Sequence, residues 1–294
     1  MKHNNKFLTI FLNIFFIVLC LICVYPVLMV IGASITSESS LLKYGYQVIP
    51  KEISFDSYKY IFTTSSSIGR AYINTIVVTV TAVVIGVLST AMYAYVISRK
   101  DFKHRNLFSF ISFFTMLFNG GLVASYLINV KVFALSNSMW ALILPGCVGA
   151  WNIMVLKSFF ASSIPYEIIE SGKIDGASEL TIFFKLVLPI SLPGIATIAL
   201  FITMAKWNDW MGPMLYVTEE SLYTVSFLLQ NMLTNIAALS NAAANVGATT
   251  VVQEIPSEGA RMALCMVAVG PMLIVYPFFQ KYFIQGMTVG AVKG

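Results

Sequence analysis

Charge is what this sequence has least of. Of 294 residues, 11% are Asp, Glu, Lys or Arg and 58% are apolar; the mean hydropathy is +0.81. Water-soluble domains carry about 25% charged residues, so a soluble globular fold is excluded. Histidine is nearly absent too, with only His3 and His104, which removes most His-based metal centres and catalytic triads. The four cysteines, Cys20, Cys23, Cys147 and Cys265, all fall in apolar stretches. They read as small packing residues with no disulfide framework, and the lone C-x-x-C lacks the further ligands zinc needs. A net charge of +5 is too mild for a nucleic-acid binder. No Walker A loop occurs, since Gly172-Lys173 is followed by Ile174, and no H-E-x-x-H or G-x-S-x-G is present. Carboxylates that could relay protons through a span are missing as well. No catalytic, metal-ligating or cofactor-binding residue is therefore expected, and energy for uphill transport must come from another subunit.

What the sequence has is long uncharged runs, over 7–37, 71–98, 106–130, 132–156, 186–205 and 262–280. A helix needs about 20 apolar residues to cross the hydrocarbon core, and lipid leaves the backbone no other way to pair its polar groups in a single continuous segment. The reading is an all-α integral membrane protein in one domain, with six spans at roughly 8–34, 72–98, 107–130, 137–157, 186–212 and 262–283. The first run is about twice the length of a signal-peptide core, so it is expected to stay as a helix.

A seventh uncharged run, 221–253, holds thirteen Ser, Thr, Asn and Gln residues. So many polar groups are costly in lipid. The stretch 213–261 reads as an extracytoplasmic, partly helical loop, either a polar cover or a segment that meets a partner or cargo. With the N-terminus inside, eleven of eighteen Lys and Arg residues fall on the cytoplasmic side, and Arg99, Lys100, Lys103 and Arg105 cluster there. The positive-inside rule then puts both termini in the cytoplasm, leaving 158–185 as a cytoplasmic loop and 284–294 as a cytoplasmic tail.

That loop carries the most information. Pro165 suits the first turn of a short helix, with Glu167 and Glu170 near its positive end. Gly176 breaks the pattern, and Asp175 is placed to cap a second helix starting Ala177-Ser178-Glu179. Ile168, Ile169 and Ile174 give the projection an apolar face with no cover of its own, which reads as a docking surface. The pattern Pro165-x-Glu167-x-x-Glu170-Ser171-Gly172-x-x-Asp175-Gly176-Ala177-Ser178, followed by Leu188-Pro189, resembles the "EAA loop" of ATP-binding-cassette importer permeases, with Ser171-Gly172 in place of Ala-Ala. The C-terminal Gly286-Met-Thr288-Val289-Gly290-Ala-Val-Lys293-Gly294 is similar to the tail of maltose-importer-type permeases. Leu117-Phe118-Asn119-Gly120-Gly121 resembles the branch serving oligosaccharides and complex glycans.

The resemblance implies the type I importer permease fold. It implies a coupling helix seated in a cleft of a nucleotide-binding subunit, with Glu170 as the carboxylate that meets a basic partner and Gly176 permitting the turn. Thr288, Val289 and Lys293 become tail residues set between those subunits; otherwise the tail is a frayed terminus. The partners implied are a sister permease, two ATPase subunits that use ATP and Mg, and an extracytoplasmic solute-binding protein, in a bacterial cell membrane.

Cargo residues are sought among polar and aromatic groups within the spans. Asn119 and Gly120 interrupt the third span, Asn152 lies in the fourth, and Trp207-Asn208-Asp209-Trp210 places two indoles beside an amide and a carboxylate. That mixture suits sugar stacking, but indoles also anchor helices at membrane interfaces. The expected function is the permease subunit of an oligosaccharide or polysaccharide-fragment importer. A permease for another solute, or an ion-coupled transporter, remains the alternative.

Overall fold

A computed structural model describes residues 6–64, 67–246 and 257–291. Among the described residues the regular structure is helical, save for one isolated antiparallel bridge between Thr36 and Ile53. The chain divides into two compact units, Met1–Ile68 with Leu229–Pro271, and Gly69–Leu228 with Met272–Gly294.

The first unit opens with α1 (Lys6–Ser34), a 29-residue helix containing Pro26. It is apolar all round and its side chains are exposed over most of its length, a pattern stable only in an apolar solvent. Ser37 caps the short α2 (Glu38–Tyr44), its Oγ accepting from the Ser40 amide at 3.3 Å, and α3 (Asp56–Thr64) follows. Glu38 then reaches a helix far along the chain. Its carboxylate accepts the Glu258 and Gly259 amides at 3.1 and 3.0 Å, satisfying the first turn of the last helix. Tyr46 donates to Glu258 Oε2 at 2.6 Å, and this bond holds the Tyr46 hydroxyl above its usual pKa.

The second unit holds the core. α4 (Ile68–Ser98) is a 31-residue apolar helix whose Ala82, Ala91 and Ala94 are fully buried. Lipid tails remove the hydrophobic drive between helices, so close packing of small residues must supply the contact. Gly86 shows how close: a methyl there would lie 2.4 Å from the Cys147 carbonyl oxygen. Leu142, Leu156, Ile182, Val187 and Ile198, from four segments of chain, complete the core.

Three expected spans are broken, the third at the interruption expected from Asn119 and Gly120 and the other two where a continuous helix was read. The third is α5 (Arg105–Leu117), then α6 (Gly121–Leu127) with a π-turn at Ile128–Val132, bent by 115°. Gly121 takes a φ of +83 at the break, and Asn119 Oδ1 accepts its amide at 2.9 Å. The fourth splits into α7 (Met139–Ile143) and α8 (Ala150–Ser163). Pro145 stands in the break, and Gly146 adopts a φ of +74. α8 runs six residues past the expected end at 157.

The fifth is preceded by α9 (Tyr166–Ile174), α10 (Glu179–Ile182), a π-turn at Phe183–Val187 and α11 (Leu188–Ile190). A bend of 84° leads into α12 (Leu192–Trp207), with α13 (Met211–Tyr216) beyond. The polar stretch after it forms α14 (Val225–Val246), helical as expected, and α15 (Ser257–Ala291) closes the chain. Among the described residues three helices are long and apolar enough to cross a membrane, five if each bent pair is one span. The expected six is not reached by that measure, because the break at Pro145-Gly146 divides the fourth span into α7 and α8, each too short to count.

Candidate functional site

α8 ends at Ser163, where Ile164 and Pro165 turn extended and deliver the chain into α9. Pro165 is the residue before the helix, one position earlier than expected. Ile169 and Gly172 form the buried side of α9. Gly172 has a steric cause: a Cβ there would stand 3.1 Å from Ile182 Cγ1 and Leu186 Cδ1, so its missing side chain lets α9 lie close against the turn that follows. The sharp reversal needs Gly176, whose φ is +77, a region costly to residues with a Cβ. Ala177 donates back to the Gly172 carbonyl at 2.9 Å, closing the turn.

Two expectations change here. Ser178, not Asp175, caps α10: its Oγ accepts the Thr181 amide at 3.3 Å, and the helix starts at Glu179. Asp175 instead closes the end of α9. The uncovered apolar face is also narrower than the sequence implied, since Ile169 is buried and Ile168 half-buried. Ile174 alone stands out, 85% exposed, beside exposed Glu167, Glu170, Ser171 and Asp175. The shoulder that α9 presents is therefore acidic, with one apolar knob.

What fixes this shoulder is a charge cluster no motif signalled. Buried Arg99, just past α4, donates to Asp101 Oδ1 at 2.8 Å and pairs with Asp101 Oδ2 and with Glu179 at the start of α10. It also donates to the Tyr95 hydroxyl at 3.1 Å. Lys173, in the last turn of α9, reaches Asp101 Oδ2 at 2.8 Å and Glu179 Oε1 at 3.5 Å. Hydrogen bonding from Arg99 holds the Asp101 carboxyl well below the usual carboxylate range, and the Asp101 bond raises Lys173. Four charges sum to zero and tie α4, α9 and α10 into one body. The sequence did show the basic cluster after α4, but its reading as a topology signal hid this second use.

The residues expected along a cargo path are placed as follows. Asn119 and Gly120 are exposed at the α5–α6 break and Asn152 is half-buried in α8. Trp207 is buried, its ring centroid 6.5 Å from that of Tyr72 and its carbonyl accepting from Ser226 Oγ at 2.5 Å. Asn208 donates to the Met204 carbonyl at 2.9 Å, and Asp209 accepts the Gly212 amide at 2.8 Å as a cap for α13. Trp210 is 39% exposed. The 207–210 stretch thus ends one helix and starts another. Beside it, sequence reasoning missed Lys206, a lysine only 6% exposed. Its Nζ donates at 2.6 Å to the carbonyls of both Leu142 and Pro145, the acceptors freed by the α7–α8 break. Thr288 and Val289 lie on the backbone of α15; Lys293 lies outside the described residues.

Comparison with known proteins decides what this shoulder belongs to. A family model described as "Binding-protein-dependent transport system inner membrane component" matches residues 82–289, from the middle of α4 through the charge cluster and α9 to the end of α15. The chain belongs to this family. It is 37% identical to the Polygalacturonan/rhamnogalacturonan transport system permease protein YtcP of Bacillus subtilis, over 99% of this chain and 100% of that protein. It is 27% identical to the Arabinooligosaccharides transport system permease protein AraQ of Halalkalibacterium halodurans, over 100% of this chain and 99% of that one. A crystal structure of a bacterial ABC transporter involved in the import of the acidic polysaccharide alginate contains a chain similar to this one. The TM-score is 0.79 at 25% identity, covering 96% of this chain and 99% of that chain. The type I permease fold expected from the loop is the fold of this family, whose members are transport components.

Proposed function

We propose that this chain is the membrane-spanning subunit of an ATP-driven importer for an oligosaccharide or polysaccharide fragment. It works by alternating access with a sister permease, driven through α9 by two separate ATPase subunits and supplied by an extracytoplasmic solute-binding protein. It binds no nucleotide itself; ATP and Mg act on the ATPase. On this reading each bent pair is one span and α7 with α8 another; six spans leave both termini on one side, the basic Arg99–Arg105 stretch favours the cytoplasm for that side, and α14 then lies on the outer side. The observation that carries this reading is the α9 shoulder, a rigid acidic surface with Ile174 uncovered, clamped by Arg99 to the end of a long apolar helix. Through these ion pairs a push on α9 is passed to the end of α4. The polygalacturonan and arabinooligosaccharide relatives support a glycan cargo.

Reconstitution tests it. Vesicles bearing this chain with its sister permease are expected to take up an oligosaccharide only when the ATPase subunits and ATP are supplied. Uptake by the two permeases alone under an ion gradient contradicts the reading.

A further inference from the structure

Behind the α9 shoulder lies a cavity of about 560 Å³, bounded by the end of α4, the start of α5, the end of α8 and the start of α9. Its lining is basic. Lys100, Arg105 and Lys157 border it together with Arg99, and Glu167 is the one carboxylate among the described lining residues. The charge of Arg99 is met by Asp101 and Glu179, whereas Lys100 and Arg105 make no ion pair among the described residues. Lys157 donates only to a neutral group, Ser109 Oγ, at 2.8 Å. Three cations therefore face a single acid. The first turns of α5 and α9 open on the same cavity, and neither has a side-chain cap, so partial positive charge adds to the formal charge. Like charges held side by side repel, and an anion set among them relieves that repulsion.

We infer that this cavity binds the phosphate of an anionic phospholipid. Depth points to a lipid: Arg99 and Lys100 directly follow Ser98, the last residue of the apolar 31-residue α4, so the cavity sits where a bilayer's phosphates lie. Chain placement agrees. Tyr95 and Arg99 also wall a neighbouring crevice of about 350 Å³ lined by Met92, Val96, Phe102, Leu180 and Phe183 and by Asp101 and Glu179, whose charges are taken up by Arg99; the mostly apolar recess suits an acyl chain. Because the uncapped first turn of α9, with Pro165 and Tyr166, forms part of the cavity wall, the bound headgroup steadies the force-receiving helix from the membrane side.

The test measures phospholipid retained by the purified full-length chain, by native mass spectrometry after exposure to vesicles of equal phosphatidylglycerol and phosphatidylcholine. The wild-type chain is expected to retain phosphatidylglycerol selectively. Lys100→Gln with Arg105→Gln should weaken retention about 25-fold, at about fivefold per cation, and Lys157→Gln alone about fivefold. Lys100 is exposed and Arg105 half-buried, so the double variant is expected to fold normally, as an unchanged Tm will show. Millimolar inorganic phosphate should displace the lipid no better than chloride. Equal retention of both lipids, or unchanged phosphatidylglycerol binding in the double variant, overturns the proposal. Protection by inorganic phosphate with no lipid retained overturns the lipid as its source.

Discussion

Glu170→Lys is expected to abolish ATP-driven uptake while the protein reaches the membrane in normal amounts. Glu170 is exposed on α9 and makes no hydrogen bond or ion pair among the described residues, so its replacement should change folding stability by no more than about 0.5 kcal/mol. At an interface the same change is severe. Replacing one partner of a buried, hydrogen-bonded charge pair costs about 2–5 kcal/mol, or roughly 30-fold or more in affinity, and the reversed sign adds repulsion. Co-purification of the ATPase with the permease is the direct readout beside uptake, and both should fall together. Arg99→Met serves as the contrast. It leaves Glu170 untouched but removes the Arg99–Glu179 pair that ties α10 to the end of α4, leaving only Lys173–Asp101 to hold α9 there, so ATP hydrolysis should continue while cargo moved per ATP drops. Arg99→Lys, which keeps the charge but not the planar fork, should restore part of that coupling.

The second large effect is structural. Lys206→Met should lower the Tm of the purified chain and its accumulation in membranes, because it strips the only described donors from the Leu142 and Pro145 carbonyls. Each buried acceptor left unpaired costs about 1–3 kcal/mol, and no continuation of α7 exists to take them up. Methionine keeps the bulk and apolar stem of lysine, so the loss isolates the ammonium. Lys206→Arg separates charge from shape. If position 206 merely anchored the helix at a lipid interface, both variants would fold as well as wild type; if the break depends on the ammonium, Met falls well below Arg.

Composition was a good guide to which segments are apolar and a poor one to where they bend. The bounds of α1 and α4 follow from uncharged runs because no turn-forming residue with a positive φ interrupts them. Pro145-Gly146 and Ser191-Leu192-Pro193 carry too little charge to show as gaps in hydropathy, yet each ends a helix. The Asn119-Gly120-Gly121 break was visible, because adjacent glycines stand out; the 115° bend at it was not, since local sequence does not fix what the two halves pack on. The α9 turn was legible almost residue by residue, with Gly176 where the chain reverses. The cap fell to Ser178 in place of Asp175 because the helix starts two residues later than the sequence suggested. Lys206 and the Arg99 cluster escaped notice for one reason: each is a long-range pairing, between positions 61–64 and 80 residues apart, and a single sequence carries no record of such partners.

The proposed coupling requires another polypeptide to cover the acid–apolar face of α9, and accessibility of Ile174 measures this directly. Cys147 is buried, and Cys20, Cys23 and Cys265 lie within the apolar helices α1 and α15, so an aqueous maleimide reports on a thiol introduced by Ile174→Cys. In the complete transporter that thiol should be shielded both before and during ATP hydrolysis, and should crosslink to the ATPase subunit. Free labelling in every nucleotide state, at the rate seen for the permease alone, would contradict the account.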